Sequence, residues 1–235
     1  MTDRSEAPYW RHDAYTLRRL KVALVDCIAR IRSRGGLGND DRVVDLGCGD
    51  LPYRQLLSAG GAAYVGCDID PGPGVDFVID AQGRVGLPDA SATCVASFQV
   101  LEHVWDIGRY LDECRRLLGP EGVLVLSTHG TWLYHPHPGD YRRWTLSGLT
   151  RELEERGFVV EEVWPVVGPL AWTTQFRTLA YHHLFSRLGN IGRILSSFLC
   201  VLMYMRMTVE DRVTPPDLIR DNAAVYLLMA RPFHG

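Results

Sequence analysis

The sequence has no uncharged apolar run long enough to cross a bilayer as a helix. The longest, Ile194 to Met205, has 12 residues, whereas a span needs about 20. It also lacks any Cys-x-x-Cys pair. The six cysteines (27, 48, 67, 94, 114 and 200) are scattered, so they read as reduced, mostly buried thiols in a cytoplasmic protein. An excess of positive charge is missing too. The formal net charge is −3, which gives a polyanion such as DNA or RNA nothing to hold, and no nucleic-acid partner is expected. The opening Met1-Thr2-Asp3-Arg4-Ser5-Glu6 is polar where a secretory leader would be apolar. Neither internal repeats nor low-complexity linkers occur. What remains is an ordinary globular composition, 46% apolar and 23% charged over 235 residues, enough for one α/β domain with an elaboration.

The chemistry begins at Val43-Val44-Asp45-Leu46-Gly47-Cys48-Gly49-Asp50. A short apolar run breaking into Gly-x-Gly predicts a strand that stops at a tight turn. The glycines let the backbone approach a ligand, because no Cβ intervenes. A second run, Tyr64-Val65-Gly66-Cys67, ends in Asp68, 19 residues after Gly49. A carboxylate at about that spacing can accept from both ribose hydroxyls, so a nucleoside-containing cofactor is expected. A dinucleotide needs a third small residue at the sixth position of Gly-x-Gly-x-x-Gly. Pro52 stands there, and Asp50 adds negative charge where a pyrophosphate would lie. An NAD(P)-dependent Rossmann oxidoreductase is therefore the disfavoured alternative.

Asp45-x-Gly47-x-Gly49 with Asp68 resembles the first two motifs of class I S-adenosylmethionine-dependent methyltransferases. Leu51 departs from that pattern, since the loop often carries a third glycine at its position. Further motifs follow in order: Val75-Asp76-Phe77-Val78-Ile79-Asp80, Leu87-Pro88-Asp89-Ala90-Ser91, Val100-Leu101-Glu102-His103-Val104, and Arg115-Arg116-Leu117-Leu118-Gly119-Pro120-Glu121-Gly122. Their order over residues 42–160 resembles the methyltransferase-11 type family. The resemblance implies a Rossmann-like, mostly parallel seven-stranded sheet with helices on both faces, its last strand antiparallel and inserted beside its predecessor. It implies S-adenosylmethionine as cofactor, held by Asp45, Gly47, Cys48, Gly49, Asp68, Ile69, Asp80, Ala81 and Gln99. Strands are expected near 42–46, 63–67, 75–79, 93–98, 122–127, 158–164 and 224–230, and a first helix over 14–33.

The segment after the fifth strand carries most of the polar chemistry. Ser127 to Thr145 includes His129, Trp132, Tyr134, His135-Pro136-His137-Pro138-Gly139-Asp140-Tyr141 and Arg143-Trp144-Thr145. It resembles the His-Pro-x-Pro-x-Asp-Tyr-x-Arg-Trp-Thr loop of a methyltransferase-11 subgroup associated with glycan and natural-product pathways. Methyl transfer needs the nucleophile aligned with the methyl carbon, and a hydroxyl nucleophile gains from a base. Histidine suits that task, with an unperturbed pKa of about 6.5. The candidates are His103, His129, His135 and His137, with Glu102 or Asp140 as the carboxylate alternatives. Trp132, Tyr134, Tyr141, Arg143 and Trp144 are candidate substrate contacts. Some of these residues have a structural alternative: Asp140 and Arg143 pairing to hold the loop, and Trp144 filling the core. His135, His137 and Asp140 offer donors a divalent metal could use, but the prolines stiffen their spacing, and no metal is expected.

The chain divides into an N-terminal helical region (1–40) with Tyr9, Trp10 and Arg11 as candidate lid residues, a cofactor-binding core (41–164), a helical insert (165–222) and the last strand (223–235). The second helix of the insert is apolar nearly all round, which predicts burial. The insert is expected to act as a lid, a homodimer surface, or a groove for a lipid or membrane. These features together point to an O-methyltransferase on a small acceptor. A sugar or glycan hydroxyl is preferred, with a lipid, quinone or natural product as the alternative.

Overall fold

The computed structural model describes residues 7–136 and 138–233. Seven strands form one sheet: β1 (Arg42–Leu46), β2 (Ala63–Asp68), β3 (Phe77–Val78), β4 (Ala92–Phe98), β5 (Leu118–His129), β6 (Phe158–Val166) and β7 (Val225–Pro232), in the order β3-β2-β1-β4-β5-β7-β6. The first five pair in parallel, and β7 lies antiparallel between β5 and β6. This is the Rossmann-like sheet the motifs imply. The helices are α1 (Ala14–Ser33), α2 (Arg54–Ser58), α3 (Ile107–Leu117), α4 (Leu146–Glu155), α5 (Pro169–Ser186), α6 (Gly189–Val213) and α7 (Pro216–Asp221).

The central strands are apolar on both sides because both faces of the sheet are covered. Successive side chains point to opposite faces. Cys94, Ala96 and Phe98 of β4, with Val225, Leu227 and Met229 of β7, meet Leu20, Leu24 and Ile28 of α1, Leu57 of α2 and Trp172 of α5. Val95, Tyr226, Leu228 and Ala230 meet Leu111 and Cys114 of α3 and Leu149 and Leu153 of α4 on the other face. Two helices on that second face start with side-chain caps. Asp106 accepts from the Arg109 N–H (3.0 Å) and Thr145 from the Gly148 N–H (3.1 Å), each satisfying an otherwise free donor.

Three expectations are corrected. The third strand shrinks from 75–79 to Phe77–Val78. It is an edge strand, and the carboxylates on either side of it hold loops instead: Asp76 accepts from the Gly66 N–H, and Asp80 from those of Gln82 and Arg84. The N-terminal aromatics do not close over the cofactor crevice. Tyr9 packs edge-on against Tyr204 of α6 (4.9 Å between centroids), beneath the Arg18 guanidinium, while Arg11 pairs with Asp13. Trp10 borders Val201 and Met205 of α6. Finally, α6 is not buried. It turns Gly192, Ser196, Cys200 and Met207 inward, while most of its large apolar side chains face outward. At 25 residues it is long and apolar enough to cross a membrane by length and composition, which the uncharged run alone did not suggest.

Candidate active site

At the carboxyl end of β1 the chain turns through Gly47 at φ +82 and Gly49 at φ +50. A Cβ on Gly47 would stand 2.4 Å from Val100 Cγ2, whereas one on Gly49 would meet nothing within 4 Å. The loop is therefore packed on its inner side and open on its outer side. The Gly47 and Cys48 N–H groups both donate to the Cys67 carbonyl (2.8 and 3.0 Å), fastening the loop to β2. Asp68 ends β2, accepting from the Gly49 N–H through Oδ2 and from the Ile69 N–H through Oδ1, both at 2.8 Å. Each carboxylate oxygen has a second lone pair left for a ligand hydroxyl.

Leu51 occupies the position where a third glycine is common, and its backbone takes the left-handed conformation regardless, at φ +59. Such a conformation costs about 1–3 kcal/mol for a non-glycine residue. The packing explains why it is tolerated. A Cβ on Gly74 would lie 2.2 Å from Leu51 Cδ1, and one on Gly66 3.3 Å from Cδ2. The leucine side chain fills the space left by two glycines on the neighbouring segment.

Asp45 is buried (2% exposed). Its Oδ2 accepts from the Tyr64 hydroxyl at 2.6 Å, but Oδ1 has no hydrogen-bond partner among the described residues. Burial pushes its carboxyl up to about 7, with the Tyr64 hydrogen bond working against the shift and the Asp68 charge adding to it. A buried carboxyl with one idle oxygen, beside a second acid, is poised for a cationic ligand group. Across the crevice, Gln99 follows β4 in a strained left-handed conformation (φ +57). Its amide donates to the Ser127 hydroxyl at 3.0 Å.

Beyond Gln99, a single 3₁₀ turn at Leu101–His103 brings Glu102 under the end of β5. Glu102 is fully buried, accepts from the Thr128 hydroxyl at 2.8 Å, and has Oε1 2.7 Å from His129 Nδ1. That approach is close but off the line of a regular hydrogen bond, as both atoms otherwise lack a hydrogen-bond partner. Burial acts to raise the Glu102 carboxyl, but the His129 ring, a backbone N–H and Thr128 outweigh it and hold the group below its ordinary value. Glu102 is therefore a carboxylate facing an imidazole.

His135 stands 4.9 Å by ring centroids from both His129 and His103. Burial, and then the neighbouring His129, hold its pKa below the usual histidine value against the pull of Asp140. The His103 Nδ1 meets the Gly139 carbonyl. The His129 ring stacks on Trp132 at 4.8 Å, and Trp132 in turn stacks on Trp172 of α5 at 4.8 Å.

A family model described as a methyltransferase domain matches residues 9–163. The chain belongs to that family. The matching model is the type 23 methyltransferase domain, which supports the class I assignment and does not test the likeness of the loop to a type 11 subgroup. A protein of Mycolicibacterium smegmatis named "probable S-adenosylmethionine-dependent methyltransferase" is 33% identical over 135 residues, 51% of this chain and 52% of its own length. A ubiquinone biosynthesis O-methyltransferase of Azorhizobium caulinodans is 29% identical, again over 51% of this chain, and 46% of its own. The chain thus spans about half the length of the curated relatives it matches. Among solved structures, a candidate sarcosine dimethylglycine methyltransferase of Galdieria sulphuraria has the same fold (TM-score 0.61, 13% identity, 92% of this chain and 88% of that one). The 1,6-didemethyltoxoflavin-N1-methyltransferase of Burkholderia thailandensis, with bound S-adenosylhomocysteine, is also similar (TM-score 0.54, 14% identity, 95% of this chain and 84% of that one).

The crevice of this methyltransferase domain fits S-adenosylmethionine. An idle buried carboxylate oxygen on Asp45 suits an ammonium, and the open side of Gly49 leaves backbone within reach of the ligand. Asp68 stands where a ribose diol would be gripped, with the exposed Ile69, Asp80 and Ala81 along the rim. The Cys48 side chain is not presented to a ligand. Cys48 is 2% exposed, and burial pushes the thiol up to about 12.

Among the alternatives weighed for the loop, Asp140 and Arg143 take the structural one, pairing as a loop staple. The guanidinium grips both Asp140 oxygens (2.5 and 2.7 Å) and reaches the Trp132 and Leu133 carbonyls. Asp140 also accepts from the His135 N–H. Arg143 holds the Asp140 carboxyl far below the usual range despite the opposing effect of burial, which makes it a poor proton acceptor. Trp144 packs into the second core layer, leaving Trp132, Tyr134 and Tyr141 as the aromatic candidates, the last two 75% and 50% exposed. His137 lies outside the described residues. Among the described residues, one group has metal-binding geometry: donor atoms of Glu102, His103 and His135 all fall within 4.8 Å of one another. It differs from the His135, His137 and Asp140 set weighed from the sequence.

Sequence reasoning missed Tyr64, Thr128, Trp105 and Trp172. Trp105 packs edge-on against Tyr141 at 5.3 Å. Trp172 sits in the insert, and no local spacing signals that α5 returns it to Trp132.

Proposed function

We propose that this protein transfers the methyl group of S-adenosylmethionine to a hydroxyl of a small acceptor, a saccharide by preference, and that His129 removes the hydroxyl proton. The observation that carries the reading is the Glu102–His129 contact, a buried carboxylate 2.7 Å from an imidazole next to the cofactor crevice. A carboxylate this close to Nδ1 favours the tautomer that leaves Nε2 to accept a proton, and it stabilises the imidazolium that results. When bound, S-adenosylmethionine supplies an electrophilic methyl on a sulfonium. The chain supplies alignment, through the Gly47–Gly49 turn on one side and the histidine loop on the other.

Oxygen as the accepting atom is supported by the ubiquinone biosynthesis O-methyltransferases among the relatives. A saccharide is supported by the likeness of the loop to a glycan-associated subgroup and by the exposed rings of Tyr134, Tyr141 and Trp105, whose flat faces suit a pyranose. A specific observation favours a second base, His135. It is more exposed, at 32% of its side chain, and its lowered pKa keeps it neutral. Radiolabelled methyl transfer to a panel of glycosides, quinols and catechols identifies the acceptor class. His129→Ala and His135→Ala then separate the bases, since the true base loses about 10²–10⁴-fold in turnover with unchanged S-adenosylhomocysteine affinity. Labelling only of amines would refute the reading.

A further inference from the structure

Helix α6 is built inside out. Gly192, Ser196 and Cys200, four residues apart, face inward, and a Cβ on Gly192 would stand 1.9 Å from the Phe185 carbonyl. The α5–α6 hairpin therefore closes on small residues. Ile191, Ile194, Phe198, Leu202, Met205 and Val209, spaced by three or four residues, form one continuous outward stripe. Ile191 and Ile194 are 71% and 70% exposed, and Phe198 is 66% exposed. Large side chains outside and small ones between helices is the arrangement that an apolar medium rewards and water penalises.

Charge points to the kind of medium. From Val163 to Val209 there is no aspartate or glutamate, while Arg177, Arg187 and Arg193 fall within this stretch; Arg206 lies there too but is paired with Glu210 just beyond it, at 2.7 Å. In a chain of net charge −3 this is a local excess of cations bordering an apolar face. The exposed aromatics Tyr9 and Trp10 lie against the same helix, beside Val201 and Met205, and aromatic residues favour the boundary between lipid and water. The inward side of α6 is committed to α5 and to α1, through Met207 and Tyr15. The helix, about 37 Å long at 1.5 Å per residue, can thus lie along a surface but not thread through it. A two-fold contact with a second copy would bring this acid-free, arginine-bearing stretch against itself.

We propose that the α5–α6 hairpin docks on the surface of an anionic lipid bilayer. Docking would place α5, whose Trp172 extends the Trp132–His129 stack, next to the membrane, so that a lipid-linked acceptor could reach the site. The proposal stands apart from the identity of the base and of the acceptor, because its test reads no methyl transfer. The protein is sedimented with vesicles of equal parts phosphatidylcholine and phosphatidylglycerol, and with vesicles of phosphatidylcholine alone. Binding to the mixed vesicles is expected, together with a loss of at least about tenfold for the double variant Ile191→Glu/Ile194→Glu. Both side chains already face solvent, so the variant's thermal melt should match that of the parent. Protein left in the supernatant with mixed vesicles would overturn the proposal. So would a lipid-free dimer that the double variant converts to monomer. Equal binding to both vesicle types would overturn the anionic requirement.

Discussion

Replacing Asp45 with asparagine should make the ligand-free protein more stable as pH rises. Burial lifts this carboxyl from an ordinary 3.8 to about 7, a difference of roughly three units, or about 4 kcal/mol at 1.36 kcal/mol per unit. The folded-state value lies above the unfolded one, so the native state keeps its proton longer. The penalty is absent below about pH 4, grows as pH rises, and is complete above about pH 7. The asparagine side chain could still accept from the Tyr64 hydroxyl and carries no charge, though its amide nitrogen inherits the place of the idle oxygen at a cost that does not vary with pH. Comparing the two proteins across pH removes that constant. Urea unfolding should show the Asp45→Asn variant gaining about 2–3 kcal/mol on the parent between about pH 5 and pH 8. The same change should weaken S-adenosylhomocysteine binding if, as proposed, the charge that strains the ligand-free protein is the one that meets the ligand ammonium. A stability difference that stays flat over that range would refute the argument, since Asp45 would then titrate like an exposed carboxyl.

Asp68→Ala should weaken S-adenosylhomocysteine binding by roughly 1.5–3 kcal/mol in calorimetry, and part of that loss should come from the freed Gly49 N–H that Asp68 now holds. Unchanged affinity would remove Asp68 from the ribose. Glu102→Gln should lower turnover and leave cofactor affinity intact, by roughly 10²-fold or more if His129 is the base; an unimpaired variant would reduce Glu102 to a structural contact. Turnover is expected to survive EDTA, as assayed by label transfer. Loss on chelation with recovery on adding a divalent ion would instead assign Glu102, His103 and His135 as ligands.

The parts of the fold legible in the sequence are those fixed by local pattern. α1 spans Ala14–Ser33 and β1 Arg42–Leu46, as their periodicities predict, because each apolar run ends at a glycine or a polar break. The cofactor turn was legible because its glycines and acids are close in sequence. Leu51 shows the limit of that. Its backbone conformation follows the glycine pattern, and the glycines that make it possible are at 66 and 74. α6 misled for a different reason. Hydrophobicity records preference for an apolar environment without saying whether protein or another medium supplies it. In the histidine loop, residue types alone could not separate Asp140, locked by Arg143, from Glu102, which sits beneath His129. That distinction needed β4 and β5 side by side. Tyr9 and Trp10 were candidate lid residues on the strength of their aromatic character, yet they pack beside α6, a long-range contact that no local pattern signals.

The central claim is that the Gly47–Asp68 crevice binds a methyl donor. Calorimetric titration of the full chain with S-adenosylhomocysteine and, separately, with NADH tests it most directly. Saturable one-site binding of S-adenosylhomocysteine, abolished by Gly47→Val and accompanied by no heat from NADH, is the predicted result. Saturable binding of NADH with none of S-adenosylhomocysteine would contradict it.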